Sequence, residues 1–83
     1  MSKMDEFFHL EMFFMNENRK YENNTEVKKI LRLIAELQAF LFFAGYKKWG
    51  SDPQKWPAET AQRFNQMYDK LKQLTDNYSE GMQ

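Results

Sequence analysis

The chain has 83 residues with 12 basic and 12 acidic side chains, so its formal net charge is zero; that balance argues against a general nucleic-acid coat and against an acidic DNA mimic. It holds 8 Phe, 7 Leu and 6 Met but only 1 Val, 2 Ile and 3 Thr, too few β-branched residues for a sheet of ordinary composition, so an all-α fold is predicted. There is no cysteine, which removes a disulfide framework, a thiolate metal site and a Cys nucleophile.

The first predicted helix covers about residues 4–16. Phe8, Leu10, Met12 and Phe14 also alternate with polar neighbours, as in a strand. Helix is preferred because Leu, Met and Glu favour it and no β-branched residue intervenes. Asp5 and Glu6 suit its N-terminal end. Residues 16–24 are polar and break the pattern; part of them can extend the first helix, the Asn pair is a stop, and Asn24 or Thr25 supplies a cap for the next helix.

The second predicted helix spans about 25–45. Val27, Ile30, Ile34, Leu37 and Leu41 share one face, with Lys29, Arg32 and Glu36 opposite. Its last turns differ: Phe40, Phe42 and Phe43 project to three sides. Gly45 reads as a C-cap or a close crossing point. In the connector, Asp52 before Pro53 signals a short capped turn, and Trp56 before Pro57 is pushed towards extended geometry.

The third predicted helix covers about 57–78, with Ala61, Phe64, Met67, Tyr68, Leu71, Leu74 and Tyr78 in one stripe. Residues 79–83 are expected to fray. The whole chain, 1–83, reads as a single small domain. The expected architecture is an antiparallel hairpin of the second and third helices, with the first docked on it.

Three helices of this size share little interior. The first is apolar nearly all round: Phe7, Leu10 and Phe14 face one way, Phe8, Met12 and Met15 another, and Phe13 a third. Contiguous exposed apolar surface usually marks an interaction site. Phe7, Phe8, Phe13, Phe40 and Phe43 are therefore the candidate partner-binding residues, and the partner is another protein or a second copy of the chain, as a dimer or higher oligomer.

A second candidate is the basic and aromatic run Lys47, Lys48, Trp49, Lys55 and Trp56, with Arg19, Lys20 and Tyr21. These would join it if both groups met at one end of the bundle. Aromatic faces stack on bases and lysines contact phosphate, so this group suits a nucleotide or single-stranded nucleic acid. The bland alternative is that the tryptophans close the core while the lysines snorkel.

Catalytic chemistry finds little footing. Ser2, Ser51 and Ser79 lie in termini or a connector with no strand–turn–helix elbow, the acids are scattered, and the three glycines are isolated. Glu6 and His9 match the Glu-x-x-His spacing of carboxylate di-iron bundles. Such a site needs further carboxylates, and one match is expected by chance, so no cofactor or metal is expected.

The opening Met-Ser-Lys-Met-Asp-Glu is not a basic n-region, so no secretory signal is expected. The run from Ala39 to Ala44 is too short to span a bilayer. A cytoplasmic, non-enzymatic adaptor or inhibitor is the expectation. Short Cys-free domains of this kind are common among phage and mobile-element accessory proteins, a likeness of class with no motif behind it.

Overall fold

The first helix is held at both ends by charge. In the computed structural model, which describes residues 3–81 with side chains through Tyr78, α1 covers Lys3–Lys20. Asp5 and Glu6 lie in its first turn and Arg19 and Lys20 in its last, each sign matching the helix dipole. The polar residues after Met15 therefore continue the helix instead of ending it at 16. The Tyr78 hydroxyl fastens this extension by donating to Glu17 Oε1 at 2.8 Å.

A tight turn follows, in which Asn24 N–H donates to the Tyr21 carbonyl at 3.1 Å. Asn24 then caps α2 (Thr25–Phe40), its side chain accepting from Val27 N–H at 3.1 Å. Val27, Ile30, Leu33, Ile34 and Leu37 form the buried face of α2.

The chain does not stop at Gly45. It widens into a π-helical stretch, Leu41–Tyr46, and ends with the single turn α3 (Lys47–Trp49). Lys47 N–H reaches back five residues to the Phe42 carbonyl. The buried Gly45 lies close against the Trp56 ring: a Cβ there would fall 2.6 Å from Trp56 Cζ2. Gly50 is the actual stop, with φ +91°, a conformation other residues adopt only with strain.

Asp52 caps the 3₁₀ turn Pro53–Lys55 by accepting from Gln54 N–H at 3.0 Å. Trp56 is extended, with ψ 156°, as its place before a proline requires. The last helix, α4 (Ala58–Gly81), outruns its apolar stripe. The expected frayed tail at 79–83 is thus helical in its backbone through Gly81, and residues 82–83 lie outside the described residues.

The fold is all-α, with no strand among the described residues. The three long helices pack around one core, in a body measuring 40 × 20 × 19 Å. α1 and α4 point the same way: Lys3 Nζ donates to Asn65 Oδ1 at 2.8 Å near their starts, and Lys72 pairs with Glu6 at 2.9 Å further along. α2 runs opposite to α1, since Tyr46 donates to Met4 Sδ at 3.5 Å and Gln38 to Glu11. Phe7 and Phe14 from α1 and Phe64, Tyr68, Leu71 and Tyr78 from α4 meet the face of α2, and Trp56 closes one end.

Candidate interaction face

The five phenylalanines singled out by composition do not form one surface. Phe7 is fully buried in the core, so it is not a contact residue of the folded chain. It occupies the same inward stripe as Leu10 and Phe14. Phe40 is half-buried, with the Arg63 guanidinium 5.6 Å from its ring centroid. Phe13 is exposed, but it sits on the flank of α1 that carries Glu6 and Glu17, towards α4. Its ring packs edge-on to Phe14 at 5.0 Å. Phe43 is exposed in the π-helical stretch after α2, packed edge-on to Phe42 at 5.0 Å and topped by Lys47 Nζ at 5.8 Å.

Phe8 belongs to a different group. Phe8, Met12 and Met15 follow one another at spacings of four and three on the outer face of α1, exposed by 46, 65 and 49 %. These spacings place them in one line along the helix. Phe42, 56 % exposed, extends this face onto the π-helical stretch that follows α2. The contact of Met4 with Tyr46 and that of Glu11 with Gln38 bracket it on both sides. Phe8 lies between the first members of those pairs and Phe42 between the second, so they stand at the same level across the α1–α2 groove. Met12, Met15 and Phe42 were absent from the sequence-derived set. The 8–12–15 spacing already groups the two methionines with Phe8 on one flank of the helix, and narrowing the candidates to phenylalanines leaves them out.

The basic and aromatic residues also separate. Met4 lies beside Tyr46, whereas Glu17 lies beside Tyr78. Arg19, Lys20 and Tyr21 are therefore at the opposite end of the bundle from the connector, and the expectation of one joint cluster is corrected. Trp56 is 5 % exposed and its indole N–H donates to the Gly50 carbonyl at 2.8 Å. Its ring packs on Tyr46 and Phe64 at 5.9 and 6.2 Å. It is a core residue, and its faces are taken. Lys47, Lys48, Trp49 and Lys55 remain on the surface.

Titratable groups on α1 serve the packing. The Tyr68 hydroxyl and the Lys72 ammonium hold the Glu6 carboxyl below its ordinary range. The Tyr68 hydroxyl itself faces that carboxylate outside good hydrogen-bond geometry. Burial, followed by Glu6, pushes it well above its usual value. Burial and the bond to Glu17 raise Tyr78 to about 12. Glu6 is thus engaged with α4, while His9 points to solvent. Among the described residues no group of three or more His, Cys, Asp or Glu side chains converges as a metal site would require. None of the described helices is long and apolar enough to cross a membrane.

No family model, curated protein or solved structure matches the chain.

Proposed function

We propose that this chain is a non-catalytic, protein-binding accessory protein that acts by occupying a partner surface, as an adaptor or inhibitor. One observation carries the reading: the outer face of α1, with Phe8, Met12 and Met15 exposed in a line and the exposed Phe42 at the level of Phe8 on the neighbouring element. Leaving large apolar side chains in water forgoes roughly 1.5–3 kcal/mol for each one that could have been buried. A contiguous face of this kind rimmed by charge is the usual mark of a protein-binding surface. In this reading α2 and α4 form the antiparallel hairpin that supports α1, the protein works in the cytoplasm, and its partner is another protein or a second copy.

The test is comparative affinity capture from the native host. Wild-type chain and Phe8→Glu chain serve as baits, with Glu59→Gln, on the far helix, as a control. A protein retained by wild type and control but lost with Phe8→Glu is expected. A wild-type bait that retains nothing and does not associate with itself overturns the reading.

The runner-up reading, a nucleotide or single-stranded nucleic-acid binder, now rests on Lys47, Lys48, Lys55 and the half-exposed Trp49. Quenching of tryptophan fluorescence by short oligonucleotides at low salt would support it, and unchanged emission removes it.

A further inference from the structure

The outer face of α1 carries more pattern than exposure alone. Reading along it, Asp5, Phe8, Met12, Met15 and Arg19 recur at spacings of three, four, three and four. That is the a/d repeat by which one helix seats against another along a narrow seam. All five residues are exposed. The inward stripe of the same helix, Phe7, Leu10, Phe14 and Glu17, has the same alternation and is used up by the bundle. α1 thus has two helix-packing seams on different sides, and only one is occupied within the chain.

The ends of the free seam decide what fits it. It is acidic at Asp5, basic at Arg19 and apolar between. Pairing with an identical helix in parallel would set Asp5 on Asp5 and Arg19 on Arg19. Pairing in antiparallel sets Asp5 against Arg19 at both ends, Phe8 near Met15, and Met12 against itself. A two-fold interface requires this self-complementarity, in which residue i meets j and j meets i. Asp5 has an interaction within its own chain, and a carboxylate with two oxygens accommodates a further donor. Phe42, level with Phe8, thickens the apolar part of the face.

We infer that the chain forms a homodimer through antiparallel packing of α1 on α1, with the two-fold axis at Met12. The inference rests on the protein-binding reading above and names the partner as a second copy. The contact is a single pair of helices about 27 Å long at 1.5 Å per residue. It belongs with the small, weakly associating interfaces, below about 1,200 Å² in total.

Sedimentation equilibrium of the full chain from micromolar to millimolar concentration tests association, and single cysteines test its geometry. The chain has no cysteine of its own, so each one introduced reports alone. A monomer–dimer equilibrium is expected. Met12→Arg should weaken it by about tenfold or more, with an unchanged helical circular dichroism spectrum. Phe13→Glu, off the seam, should leave it unchanged.

Under mild oxidation, Met12→Cys is expected to form a disulfide-linked dimer, while Phe8→Cys, Met15→Cys and Phe13→Cys alone do not. Cross-linking of Phe8, Met12 and Met15 variants alike would mean parallel pairing and overturns the arrangement. A dimer that ignores Met12→Arg, or a chain that stays monomeric throughout, overturns the inference. In that case, capture of a host protein that is lost with Phe8→Glu would leave the protein-binding reading standing. Absence of both would end the two together.

Discussion

Phe7 and Phe8 are chemically identical neighbours with opposite roles. Phe7 is fully enclosed, and Phe8 is 46 % exposed on the outer face. Phe7→Ala should therefore cost about 3–5 kcal/mol through lost burial and a residual cavity. Phe8→Ala should move the monomer's stability by only about 0.5 kcal/mol. Urea unfolding at a concentration where the chain is monomeric measures both, and equal losses would contradict the assignment of faces. Tyr78 gives a second measurement at this scale. Its hydroxyl is raised from 10.0 to about 12 in the folded chain by burial and the bond to Glu17. A raised value means that the folded state holds the proton more tightly than the unfolded state. The stabilisation is complete below pH 10 and is lost as pH climbs from 10 towards 12. Tyr78→Phe, which has no proton to lose, should unfold over that range with a weaker pH dependence than wild type.

At the scale of elements, the junction of α2 and the connector turns on Gly45 and Trp56. The π-helical stretch lets the chain pass Gly45 without ending, and the indole fills the space a side chain would take. Gly45→Ala should destabilise by about 1–3 kcal/mol, the range for overpacking a closed interior. Pairing it with Trp56→Leu, which frees that space, should yield a double variant less damaged than the sum of the two. Additive losses in a denaturation cycle would show that the two residues do not share a site. The same junction marks what was legible in advance. Asn24, Asp52 with Pro53, and the extended Trp56 were readable because each acts within a few residues of itself. The end of the second helix was not, because Gly45 reads equally as a stop and as a close crossing point until the distant Trp56 packs on it and decides for the second. α1 was ambiguous for another reason. With apolar residues on three flanks, periodicity alone does not say which flank faces inward. Only the α2 and α4 stripes, once packed, assign Phe7 and Phe14 to the core and leave Phe8, Met12 and Met15 outside. The basic residues were misjudged as a group because their joint placement depended on helix direction. α1 runs opposite to α2, which carries Arg19 to the far end from Lys47.

For the whole molecule, the helices are not held equally. α2 lies at the centre with five buried apolar residues, whereas α1 contributes two, Phe7 and Phe14. Its polar ties to α4 include the bond from Lys3 to Asn65, the exposed Lys72–Glu6 bridge and the bond from Tyr78 to Glu17; exposed ion pairs of this kind contribute little. Acid weakens one of these ties. Glu6 is held below its ordinary 4.5 in the folded chain by Tyr68 and Lys72. The stability it supplies is therefore present above 4.5 and lost as pH falls through its lowered value. Local opening free energy follows the buried contacts an element must give up, so α1 should open before the bundle unfolds. Native-state hydrogen exchange of the dilute chain should show α1 amides exchanging faster than those of α2, with the gap widening below pH 4.5 after correction for intrinsic rates. If α1 and α2 exchange together at the global limit, α1 is an equal member of one cooperative core and this ranking fails. Concentration adds an independent axis. Where α1 pairs with α1 of a second copy, its protection should rise with protein concentration while that of α2 changes less, because association then stabilises the element least secured by its own chain.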